Sequence, residues 1–225
     1  MSKRYEFDFD FEALEAALYS DLAKSFTILQ LELPDESIYN FTLGISNDIG
    51  YVTTNVMTES GLIKSVTNAR EQWERYRNVD FDILMVLHRH DATEDVYHSD
   101  EYAHHDFWGM LAASHDLLGQ FLLKTDELTR NELLIAPAEL IELWDYKEAM
   151  QSRVLDICEQ VMKRLDEAEI FELTNSRENV TLQVRRGDNE PDPEIVRRLN
   201  PHEVYEKFLI HHQKYLAARK SVYGY

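Results

Sequence analysis

The histidines of segment 88–105 are the residues best suited by type and spacing to chemistry. His88-Arg89-His90-Asp91 sets two imidazoles and a carboxylate close together, directly after an apolar run. In extended chain, alternate side chains share a face, so His88 and His90 would present their nitrogens together with Asp91 beside them. That donor set suits a transition metal. His98, His104, His105 and Asp106 would complete the site if the segment folded back. No recognised ligand motif accompanies them, neither His-Glu-x-x-His nor His-x-His-x-Asp-His. Histidines at the edge of an acidic loop are more often solvated or hydrogen-bonded than ligating.

Other chemical groupings are weaker. His104-His105-Asp106 and Ser114-His115-Asp116 have the residue types of a hydrolytic triad. Sequence neighbours cannot form that relay, which needs groups presented from different elements. Ser114-His115-Asp116 also falls in a predicted helix, where adjacent residues diverge. Cys158 lies on an apolar helical stripe with no cation nearby to lower its pKa, so it reads as a small core hydrophobe. Acidic pairs such as Glu139 with Glu142, or Asp8 with Asp10, read as solvated acidic surface in a chain so rich in carboxylates. No glycine-rich phosphate loop and no Gly-x-Ser-x-Gly elbow occurs. No catalytic, cofactor-binding or metal-binding residue is therefore assigned from sequence, and no cofactor is implied.

The elements that would position these groups follow from hydrophobic period. Leu14, Leu18, Leu22, Phe26 and Leu29 predict a helix over about 11–31, with Asp10 as its cap and Pro34 as its stop. Tyr39, Phe41, Leu43 and Ile45 alternate with Ile38, Asn40, Thr42 and Gly44. Turn residues at Ser46–Gly50 and a β-branched run over 51–57 complete a hairpin. A helix is expected over 58–78, with Leu62, Val66, Ala69 and Trp73 on one face. Phe81–Leu87 reads as a short buried strand, His88–His105 as a loop, and Phe107–Leu128 as a helix. Pro137 opens a helical turn over 138–144, and a long amphipathic helix follows, marked by Val154, Cys158, Val161 and Leu165. Ile170–Leu173 and Val180–Arg185 read as a second hairpin, the latter with Val180, Leu182 and Val184 alternating with Thr181, Gln183 and Arg185. Asp192-Pro193 and Asn200-Pro201-His202-Glu203 mark two further helix starts, the second with capping-box spacing. Val204, Phe208, His211 or His212, and Tyr215 share a face of the last helix. The expected fold is α+β: one domain over 1–225, with hairpins forming a mostly antiparallel sheet flanked by helices.

Composition narrows the function classes. The 225 residues hold 42 Asp and Glu against 23 Lys and Arg, a formal charge of −19. Such a field repels phosphate backbones and anionic lipid, which argues against nucleic-acid and membrane partners and for a basic protein partner. One cysteine excludes an intramolecular disulfide framework and fits a reducing compartment. The start of the chain lacks the pattern of a secretory signal, and no apolar run is long enough to span a bilayer; the expected location is cytoplasmic. Trp144-Asp145-Tyr146 joins large aromatics to charge, a setting that can anchor a partner but more often serves core or rim packing, which is the preferred reading. Arg185, Arg186, Arg197 and Arg198 concentrate positive charge, and internal pairing with carboxylates is their expected role.

Several segments together carry a family resemblance. These are Ile38-Tyr39-Asn40-Phe41-Thr42-Leu43-Gly44, Thr54-Asn55-Val56-Met57-Thr58-Glu59-Ser60-Gly61-Leu62, Ala136-Pro137-Ala138-Glu139 and Trp144-Asp145-Tyr146. Val180–Asp188 and Leu199-Asn200-Pro201-His202-Glu203-Val204 complete the set. In this order they resemble the bacterial domain of unknown function 4303 family over most of the chain. Residues 79–134 depart from the pattern as an apparent insertion, so the His-rich segment inherits nothing. The resemblance implies an α+β domain, carries over no functional residue, and places the chain in a setting similar to small acidic proteins that accompany bacterial toxin systems. The leading expectation is a non-enzymatic acidic interaction protein, in its sharpest form an immunity-type inhibitor of a basic toxin. The alternatives are a metal-dependent enzyme centred on His88, His90 and Asp91, and a structural subunit of a homo-oligomer; the sequence does not fix the oligomeric state.

Overall fold

The computed structural model describes residues 7–32, 36–90, 111–129, 137–172, 177–187 and 190–224. Helix α1 (Phe11–Glu32) starts where Asp10 Oδ1 accepts from the Ala13 amide at 2.9 Å. It buries Leu14, Leu18, Leu22 and Phe26, the expected stripe. Strands β1 (Ile38–Ile45) and β2 (Val52–Thr58) form the expected hairpin. In its turn, Ser46 Oγ accepts from the Gly50 amide at 2.9 Å and the Tyr51 amide at 3.1 Å. Thr58 caps α2 (Glu59–Gln72), its hydroxyl accepting from the Gly61 amide at 3.1 Å. Strand passes to helix there with no loop.

The remaining helices are α3 (Phe81–His90), α4 (Ala112–Thr129), α5 (Pro137–Glu167), α6 (Pro193–Leu199) and α7 (His202–Tyr223). Strand β3 (Thr181–Arg186) completes a three-stranded sheet of order β2-β1-β3. The protein is an α+β domain, mostly helical with a small mixed sheet. One face of that sheet lies under α1 and α5: Phe41, Leu43, Ile45, Val52, Val56, Leu182 and Val184 share a core with Leu18, Leu22, Cys158 and Val161. Phe26, Phe41 and Phe171 meet there, with ring centroids 4.8–5.2 Å apart. A second, smaller core joins α2, α3 and α7 through Leu62, Val66, Leu84, Leu87 and Tyr215.

Five expectations change. Phe81–Leu87 is helix, not strand: after Asp82 the run Ile83–Leu87 is wholly apolar and shows no period, and burial of Leu84, Leu87 and His88 reveals the helical spacing. The second hairpin does not form. Ile170–Glu172 is a 3-10 turn that buries Phe171, and β3 pairs with β1 in parallel instead. The turn at 138–144 and the long helix after it are one helix of 31 residues, begun by Pro137. Helix α2 stops at Gln72, where extended backbone at Trp73 turns that indole outward rather than along the buried face. Finally, Asn200 does not cap α7. Its side chain instead donates to the carbonyls of Leu182 (2.8 Å) and Val196 (2.7 Å) and accepts from the Leu182 amide (2.8 Å). It thus satisfies β3 along its outer edge, where an edge strand otherwise leaves polar backbone unpaired.

Arg177 works with Asn200 to tie β3 down. Its buried guanidinium pairs with Asp166 and donates to the carbonyls of Val180 (2.6 Å) and Leu199 (3.1 Å). Of the arginines expected to pair internally, Arg197 binds Glu194 and Arg198 binds Glu159, both at 2.8 Å. Arg186 reaches the Asn47 carbonyl at 2.7 Å and Gln151 at 2.9 Å. Arg185 is buried on the sheet.

Candidate functional site

The start of the His-rich segment is helical, not extended. On helix α3, residues two apart point about 200° from each other rather than the same way. His88 is buried, and its Nδ1 lies 3.0 Å from the Ser65 hydroxyl on α2. His90 ends the helix; Asp91, His98, His104, His105 and Asp106 lie outside the described residues. Among the described residues no group of three or more His, Cys, Asp or Glu side chains is placed to hold a metal. Ser114-His115-Asp116 is likewise dispersed around α4. Ser114 donates to the buried Asp21 carboxylate at 2.8 Å, and His115 Nε2 donates to the Val52 carbonyl at 2.7 Å. Cys158 is fully buried, and burial pushes its thiol up to about 12, so it is no nucleophile.

The residue that matters in His88-Arg89-His90 is the middle one. Arg89 lays its guanidinium 4.2 Å from the centre of the Tyr39 ring and binds Glu59 at 2.5 Å. Three local features make this meeting possible. A register shift between Ile38 and Asn40 sends Tyr39 to the face opposite Phe41, where it packs against the second core, while Ile38 stays with the main core. A bulge re-aims a side chain in this way. The loop-free passage from Thr58 into α2 sets Glu59 at the mouth of the same face. The helical turn of α3 brings Arg89 across to both.

These groups border a cleft of about 270 Å³ on the sheet face that α1 and α5 leave uncovered. Asn40, Thr181 and Gln183 form its floor; Asn40 and Thr181 are register partners, and Gln183 follows on the same side. Helix α7 supplies a wall with Lys207, Phe208 and His211. Lys207 Nζ donates to the Glu178 carbonyl at 3.1 Å, and among the described residues it makes no ion pair. His211 is held below its ordinary pKa by burial and then by the charges of Arg89 and Lys214, against a smaller opposing effect from Glu59. It therefore presents a neutral imidazole at pH 7. Burial, only partly offset by Arg89, raises Tyr39 above the ordinary phenol, so it remains protonated.

A second feature lies on the first half of α5. Ile141, Trp144, Asp145 and Glu148 follow the i, i+3, i+4, i+7 spacing of one helical face, and all are exposed. Ile141 is 58% and Trp144 52% accessible, whereas Leu143 on the opposite side is fully buried. The Trp144 region is thus surface rather than core.

Sequence reasoning did not identify Arg89, Lys207, Gln183 or His211 as a group. The signal for the floor was present in the alternation of Asn40 and Thr42 with Phe41, and of Thr181 and Gln183 with Leu182. Its meaning depended on the two strands being neighbours.

Comparison with curated proteins finds no match, and comparison with solved structures finds none. Among the described residues, no helix is long and apolar enough to cross a membrane. Residues 18–201 match the family model described as Domain of unknown function (DUF4303). That match takes in β1, β2, β3, Arg89 and α5, and on it the chain belongs to the DUF4303 family.

Proposed function

We propose that this chain is a non-enzymatic acidic interaction protein, acting in the cytoplasm, whose partner is a cationic protein. The exposed stripe Ile141-Trp144-Asp145-Glu148 is the observation that carries this reading. Large side chains such as Trp supply most of the energy of an interface when a partner buries them. Carboxylates beside them steer a basic partner in and discriminate against acidic ones. The formal charge of −19 extends that steering over the whole molecule. An immunity-type inhibitor of a basic toxin is the sharpest form of this reading, with the acidic stripe covering the toxin's cationic surface.

The test begins with capture of partners from the source organism by immobilised protein, at low and at moderate salt. Each captured protein is then titrated in purified form against wild type and a Trp144→Ala, Ile141→Ser double variant. The reading expects a basic protein that binds wild type and loses at least about tenfold in affinity to the variant, about 1.4 kcal/mol. Absence of any basic partner at either salt, or a partner indifferent to both substitutions, would defeat it.

A further inference from the structure

The cleft on the polar sheet face has the attributes of a ligand site independent of the α5 stripe. Gln183 is only 3% exposed and Asn40 only 5%, yet both border the cleft. Among the described residues, the Gln183 carboxamide makes no hydrogen bond. The Asn40 side chain uses only its oxygen, which accepts from Thr42 Oγ1 at 2.8 Å. Buried polar groups are nearly always paired, and the ones that are not require an explanation. Two carboxamides from adjacent strands, both aimed at the same open volume, have one in whatever fills it.

The chemistry of the filling follows from the donor inventory. Arg89 uses part of its fork on Glu59, and Lys207 spends one of three ammonium protons on a backbone carbonyl. Arg89, Lys207, Asn40, Gln183 and Thr181 all carry donors at the cleft. Its two cations, Arg89 and Lys207, are matched by two carboxylate residues, Glu59 and Glu178, where the chain at large is strongly acidic. A carboxylate at the rim, such as that of Glu59, is a partner for an ammonium or hydroxyl on the same ligand. The volume is at the lower end of that of small-molecule pockets, about 300–1,000 Å³, which limits the occupant to a metabolite of few atoms.

We propose that this cleft binds a small carboxylate of amino-acid size, its carboxylate toward Arg89 and Lys207 and its second polar group toward Asn40, Gln183 and Glu59. The test is calorimetric titration of the full chain with three sets of probes: the free L-amino acids, short dicarboxylates such as succinate, and inorganic phosphate. At least one amino acid or dicarboxylate should bind with a Kd of about 0.1 mM or tighter, reasonable for a ligand of roughly ten heavy atoms. Gln183→Leu and Lys207→Met should each weaken that binding about tenfold or more. Lys207 is exposed on α7, so its variant keeps the test valid even if the floor variant misfolds. The proposal fails if no carboxylate probe binds tighter than about 10 mM, a level expected of non-specific contact. Binding of phosphate alone, or carboxylate binding that survives both substitutions, would also overturn it. The stripe variant at Trp144 and Ile141 should bind the same probe with unchanged affinity, which separates failure here from failure of the partner reading.

Discussion

On one face of the sheet, Phe41, Leu43, Ile45, Leu182 and Val184 lie under α1 and α5; on the other, Asn40, Thr42, Gln183 and Arg185 occupy the same strands one residue out of step. Both faces bury side chains, but they bury them differently. The first is filled mainly by apolar contact and aromatic edges, with the Thr54 hydroxyl buried among them. The second carries amides and a guanidinium, and at the cleft, among the described residues, the Gln183 carboxamide and the Asn40 amide nitrogen make no hydrogen bond. Polar burial costs free energy unless it is paired. A domain that needed only stability would extend the apolar pattern across both faces, as sheets covered on both sides commonly do. On the proposed reading, the polar face is the one shaped by a ligand.

That contrast can be challenged by substitution. Phe41→Ala should have the largest effect, because it empties the meeting point of Phe26, Phe41 and Phe171. A loss of about 4 kcal/mol is expected from the removed transfer energy plus the cavity, read from the midpoint of urea unfolding. A loss under about 1 kcal/mol would show that the α1–α5 face is not the main core.

Thr54 offers a finer probe of the same face. It stands between Val52 and Val56 on β2, is buried, and among the described residues its hydroxyl has no hydrogen-bond partner. Thr54→Val should stabilise the fold by about 1 kcal/mol by removing an unpaired buried hydroxyl from apolar surroundings. Destabilisation on urea unfolding would place a partner on that hydroxyl and narrow the difference between the faces.

The sequence disclosed these faces only in part. The alternation in β1 and β3 was legible, as were the stripe of α1, the hairpin, the acid cap at Asp10 and the Asp192-Pro193 helix start. Each is a local signal with a local cause. What was not legible depended on long-range pairing. The parallel alignment of β3 with β1 joins residues about 140 apart, and nothing in Val180–Arg186 distinguishes it from the arm of a hairpin. Helix α3 was concealed because Ile83, Met85 and Val86, between its buried positions, are apolar and half-buried, so no period of 3.6 emerges from Phe81–Leu87. That one reading moved His88 and His90 onto a shared face and hid Arg89, which the helix delivers to Tyr39 and Glu59 instead. Asn200 shows the same limit: its capping-box spacing is real, but a strand edge competes for the side chain and wins with three close hydrogen bonds.

The smallest expected effect on stability tests the central claim most directly. Gln183 is as buried as many core residues, yet among the described residues its carboxamide makes no hydrogen bond. Gln183→Leu, similar in volume, should therefore change unfolding stability in urea by less than about 1 kcal/mol. A loss of about 3 kcal/mol or more would mean that the amide holds the sheet together, and that the polar face is structural after all.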